Sequence, residues 1–234
     1  MSLCHPGDPQ VSCGSCCGLF NVKLSVDGYK ALLTERTNEF QTTVDLSIRH
    51  TIAAFRQSRE QKESSLSKND EMTYNCPYLG YIDKNQKKIG CMIHPIFTGD
   101  PKSQNFSFYG ASICQAYDCK NKESIHSELI QTAILRNVKD SLEYSHLAAD
   151  HSLFFAIDSW IQLKGFSISE GYLSFHVEID TMIQSRKRVL HDKNLTSFEI
   201  NYANFLKLDE LESFFLSFLT KEEWDKLQNA SASL

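Results

Sequence analysis

All eight cysteines of this 234-residue chain lie within its first 119 residues, and three share five consecutive positions, Cys13-Gly14-Ser15-Cys16-Cys17, followed by Gly18. The last 115 residues have none. Thiols placed without constraint would spread over the whole length, so the front half is expected to fold back on itself around one cysteine-dependent site. A chain this long buries enough apolar surface to need no stapling by disulfides. Its first twenty residues lack the apolar stretch of a secretory signal. The expected compartment is therefore the reducing cytoplasm, where thiols act first as metal ligands or redox groups and only second as four bridges.

Other classes are disfavoured by charge and hydropathy. Twenty-four basic against twenty-nine acidic side chains leave a net charge of −5, and the one basic cluster, Arg186-Lys187-Arg188, is too short for a phosphate-binding stripe. No nucleic acid is expected as a partner. The run Phe214 to Leu219 falls far short of the ~20 residues needed to span a bilayer, so no membrane association is expected either. Three triplets with the glycosylation pattern, Asn105-Phe-Ser107, Asn194-Leu-Thr196 and Asn229-Ala-Ser231, matter only in a secreted chain.

Periodicity divides the chain. Tyr29, Leu32, Leu33, Phe40, Val44, Ile48, Ile52 and Phe55 recur every three to four positions and predict one long amphipathic helix over about 27–59. Residues 57–71 are almost free of apolar side chains and read as a loop or frayed end. From Tyr74 to Cys119, Pro77, Pro95 and Pro101 with Gly80, Gly90, Gly99 and Gly110 exclude long helices. Within that stretch, Tyr78–Ile82 and Ile89–Ile93 flank a polar run and predict a β-hairpin. Beyond residue 120 the helical period returns through Ile125, Leu129, Ile134, Val138 and Leu142, then Leu147, Phe154, Phe155 and Ile161. Leu173 to Ile179 fits either a strand or a helix, and Thr220-Lys-Glu-Glu223 has capping-box spacing. The expectation is a mostly helical α+β chain: a cysteine-rich loop and hairpin metal module over residues 1–120, packed on a helical bundle over 121–234.

Thiolates are soft anionic ligands, and four of them suit tetrahedral zinc or an iron–sulfur cluster far better than an oxygen-seeking ion. Cys13 and Cys16 have C-x-x-C spacing in a glycine-relieved loop. Cys17, Cys76, Cys91, Cys114 and Cys119 complete the candidate ligand set, which exceeds the four needed for one centre. Two centres, or one centre and a redox pair, would absorb the surplus. Cys4 reads as a spare ligand or a free surface thiol. With the hairpin turn near Asn85 and Gln86, Cys76 faces Pro95 and lies about 13 Å along the strand from Cys91, too far for one mononuclear site. Either the pairing is irregular or His94 sits nearer to Cys76. Cys114 and Cys119 would lie about 140° apart on a helix and so need a loop to converge.

Cys13-x-x-Cys16-Cys17-Gly18, Cys76-Pro-Tyr-Leu-Gly80 and Gly90-Cys-Met-Ile-His94-Pro95 resemble the bacterial YkgJ-like cysteine-cluster family, described as a zinc- or iron-chelating domain. The likeness covers residues 10–120. In that family the run is C-x-x-C-x-x-C-C, and its first cysteine would fall at Gln10. Ser107-Phe-Tyr-Gly110 with Cys114 and Cys119 resembles an extension found in part of the family. The resemblance implies metal or iron–sulfur binding by the matched cysteines.

The leading expectation is thus a soft metal centre with a structural, redox or regulatory role, the helices serving as scaffold and as a surface open to a protein partner. An enzyme is the alternative, since some relatives are linked to protein lysine methylation, yet neither a C-x-x-x-C-x-x-C motif nor a G-x-G-x-x-G loop is present. A thiol-redox catalyst would use Cys16 or Cys17 with His50, His94 or His126 as base. His146, His151, His176 and His191 fall in helical patterns and are assigned no role, as are Asp140, Glu143 and Asp150.

Overall fold

The fold, a computed structural model, is described for residues 2–190 and 208–230; His191 and Asn194–Thr196 lie outside the described residues. It is mostly helical with a two-stranded sheet. Two single 3-10 turns, Ser15–Cys17 and Leu19–Asn21, open it and meet at Gly18. Gly18 has φ +75°, and a Cβ there would stand 2.1 Å from the carbonyl oxygen of Tyr74. Only glycine fits so close an approach at positive φ.

The long helix expected over 27–59 is instead a helical hairpin, α1 (Val26–Thr43) and α2 (Arg49–Lys62). The apolar period survives the break because Phe40 on α1 meets Phe55 on α2 edge to face, at 5.1 Å between ring centres. The break has a local cause. β-Branched Thr42, Thr43 and Val44 end α1, and Val44 is extended. The Asp45 carboxylate then accepts from the Ser47 amide (2.9 Å) and hydroxyl (2.7 Å), a turn that competes with helix. Charge also ties the pair: Arg59 of α2 reaches Glu35 at 2.6 Å and Glu39 at 3.0 Å on α1.

The hairpin is β1 (Leu79–Tyr81) against β2 (Ile89–Cys91), pairing Leu79 with Cys91 and Tyr81 with Ile89. Its turn is organised by Asp83, whose carboxylate accepts from the amides of Asn85, Lys87 and Lys88. Three short helices follow, α3 (Pro95–Thr98), α4 (Gly110–Ala116) and α5 (Lys120–Glu123), as the prolines and glycines require. The rest is α6 (Ser127–Asn137), α7 (Ser141–Ala148), α8 (His151–Leu163), α9 (Ile168–Ser174), α10 (His176–Leu190), α11 (Leu208–Leu216) and α12 (Lys221–Asn229). The ambiguous stretch 173–179 is helical on both sides of a kink at Phe175. Thr220 and Glu223 form the expected capping box.

Three apolar clusters hold these elements. Phe40, Ile52, Phe55, Tyr78 and Ile93 join the helical hairpin to the strands. Leu19, Phe20, Tyr29, Leu33, Leu79 and Ile89 pack the second turn beneath them. The largest cluster, around Phe154, Trp160, Phe175, Ile179, Phe215 and Trp224, belongs to α6–α12 and also takes in Leu3 and Val11. The N-terminal segment is therefore threaded into the C-terminal core, where Tyr144 donates to the carbonyl of Leu3 at 2.7 Å.

Candidate metal centre

The first wall of the site is set by two serines one helical turn apart on α7. Ser141 Oγ accepts from the amides of Ser12 (3.1 Å) and Ile89 (3.2 Å), so one hydroxyl clamps the cysteine loop to β2. Ser145 Oγ accepts from the Gly14 amide at 2.9 Å, and its carbonyl accepts from Ser15 Oγ at 2.7 Å. The loop bearing Cys13, Cys16 and Cys17 is thereby fixed along its length. From the other side, the Cys76 amide donates to the Cys17 carbonyl at 2.9 Å.

Behind Cys76 lies a buried ion-pair network. Arg36 on α1 is fully buried; its guanidinium pairs with Glu63 and donates to the carbonyls of Cys76 (3.0 Å) and Leu79 (3.4 Å). Burial alone would raise the Glu63 carboxyl, yet the guanidinium groups of Arg36 and Arg59 hold it below its ordinary value. Removing one partner of so enclosed a pair leaves an unmatched charge, a loss of roughly 3–5 kcal/mol.

These supports bring seven thiols to one cavity of 600 Å³: Cys4, Cys13, Cys16, Cys17, Cys76, Cys91 and Cys114. His5, His94 and Lys122 line it too. Cys119, the last of the candidate ligands, is the N-cap residue of α5 and packs on the large core beside Cys13. None of the eight is joined in a disulfide. Cys4, read as a spare ligand or free surface thiol, thus stands with the others, and its burial pushes it up to about 12. Cys76 and Cys91 both line the cavity, and it is Leu79 that pairs with Cys91. β1 begins at Leu79, whose amide turns back to the Cys76 carbonyl, so Cys76 lies before the regular strand. Cys114 rides on α4 and lines the cavity, whereas Cys119 lies beyond a short loop at the start of α5 and does not line it.

Burial is the main cause that raises Cys4, Cys13, Cys76, Cys91 and Cys114, with neighbouring thiols adding to it. Cys91 is pushed up to about 12 and Cys114 to about 11. Cys16 is the exception: the hydrogen bond between it and Cys17 lowers Cys16 and raises Cys17. Among the described residues, no group of three or more His, Cys, Asp or Glu side chains is arranged to hold a single metal ion. The donor set still fits a soft centre, being made of thiols from five separate segments around one space. His94 Nδ1 accepts from the Ile96 amide at 3.2 Å, which commits that nitrogen to capping α3. His50 and His126, the other candidate bases, do not line the cavity.

Sequence reasoning passed over His5, Lys122, Arg36 and the pair Ser141/Ser145. The serines carried a readable signal, recurring at i and i+4 on a helix whose remaining residues are largely apolar. Searches against protein-family models, curated proteins and solved structures give no match to this chain.

Proposed function

We propose that the chain holds a soft metal centre, an iron–sulfur cluster or zinc, in the cavity between the hairpin, the cysteine loop and α4. The observation that carries this reading is the lining of one cavity by seven thiols drawn from segments more than a hundred residues apart. The resemblance of residues 10–120 to the YkgJ-like cysteine cluster agrees with it. A closed zinc site draws its thiolates to about 3.8 Å of one another, from a Zn–S distance near 2.3 Å, and leaves little void. A 600 Å³ space with thiols around its wall better suits a polyatomic iron–sulfur cluster. Such a centre would serve a structural, redox or regulatory role.

Anaerobic purification with absorbance and metal analysis tests the proposal. Broad absorbance near about 400 nm with stoichiometric iron supports a cluster and colourless protein with zinc supports the ion. A folded, metal-free protein with eight titratable thiols would sink both. Cys76→Ser is expected to lose the metal and to loosen residues 1–120. One observation favours a second reading, thiol-redox chemistry: Cys16 lies in hydrogen-bond contact with Cys17, which lowers it. A Cys16→Ser variant that keeps its metal yet loses thiol exchange would select that reading.

A further inference from the structure

Resting on the metal reading above, we infer that the eight thiols form two adjacent four-thiol centres, Cys4, Cys13, Cys16 and Cys119 holding one and Cys17, Cys76, Cys91 and Cys114 holding the other. The backbone pairs them first. The Cys13 amide donates to the Cys4 carbonyl at 3.0 Å, while the Cys76 amide donates to the Cys17 carbonyl at 2.9 Å. Packing then separates them: Cys13 and Cys119 lie on the large helical core, whereas Cys17, Cys76 and Cys91 lie on the core of the helical hairpin and strands.

Each set has its own polar surroundings. Cys119 Sγ faces the carbonyl of Ala148 at 4.0 Å, and the Lys122 ammonium acts on Cys4, Cys16 and Cys119. In the second set, Cys76 Sγ and Ser107 Oγ are 3.5 Å apart, Ser107 also reaches Cys114, and Gln104 Nε2 points at Cys91 Sγ at 4.0 Å. Electrostatic neighbours follow the same division except at Cys16, which is hydrogen-bonded to Cys17 across it. Cys13 feels Cys4, Cys16 and Cys119; Cys91 feels Cys76 and Cys114. Cys16 stands at the boundary, felt by Cys76 and Cys114 as well. The adjacent Cys17 is bound through its carbonyl to Cys76, which leaves Cys16 to complete the first set. Each thiol ligates as thiolate, its proton passing to solvent.

Metal content and native alkylation test the division. Wild-type protein purified anaerobically is expected to protect all eight thiols from iodoacetamide, and stripping the metal should expose them. The double variant Cys13→Ser/Cys119→Ser and the double variant Cys76→Ser/Cys91→Ser should each keep about half of the wild-type metal, with helical circular dichroism reporting whether each folds. One double variant keeping all the metal while the other keeps none would overturn the two-centre assignment and leave the metal reading standing. Metal-loaded wild type with four reactive thiols would do the same without any variant. Wild type that takes up neither iron nor zinc would overturn both.

Discussion

At the scale of single residues, the thiols were the legible part of this chain and their partners were not. Cysteine types and spacing, with the front-half asymmetry, are what the proposed soft-metal reading rests on at this scale. Arg36 carries no such mark, because a charged residue in an amphipathic helix reads as solvated until the fold closes over it. Asp158 on α8 is a second case: burial beside Tyr172 raises its carboxyl to about 7, against the hydroxyl's opposing pull. A raised acid means that the native chain retains, between roughly pH 4 and pH 7, a proton the unfolded chain has released. Stability should therefore fall as pH rises through that window and level off above it. Asp158→Asn is expected to abolish this slope and to stabilise the protein at pH 8 by on the order of 1–3 kcal/mol. Urea unfolding at pH 5 and pH 8 measures it, and an unchanged slope in the variant would refute the assignment.

Among elements, type was easier to read than extent. The apolar period of residues 29–55 predicted helix correctly and missed its division, because two antiparallel helices whose apolar faces meet across a turn keep nearly the same period as one. The Asp45–Ser47 turn was the available signal. The hairpin was legible from its polar run, but the sharp start of β1 at Leu79 depends on hydrogen bonds made elsewhere. Gly18 is the hinge on which the first wall depends. Gly18→Ala would combine positive φ with overlap against the Tyr74 carbonyl. A cost of about 2–4 kcal/mol is expected, with the Cys16–Cys17 turn displaced from Cys76. Thermal unfolding and metal content read it; a variant with native stability and full metal would show that the turn has room this geometry denies.

For the whole molecule, mostly helical composition was readable, whereas the insertion of Leu3 and Val11 among α6–α12 was not, since two apolar residues in a polar terminus have no period. Among the described residues no helix is long and apolar enough to cross a membrane. The insertion couples the cysteine region to the C-terminal helices. If the centres are held as proposed, chelation should raise amide exchange in α6–α8 as well as in the hairpin. Exchange that rises only before residue 120 would show that the two regions open independently.

The contact between Leu3 and Tyr144 spans 141 residues of sequence. A ribosome adds roughly 5–20 residues per second, so the first four thiols emerge about 7–30 s before the helix that seats them exists. During that interval they are open to oxidation and to adventitious metals. If the thiols hold metal as proposed, correct loading has to wait for the cysteine-free half of the chain, which gives those residues a part in assembling a site to which they would contribute no ligand.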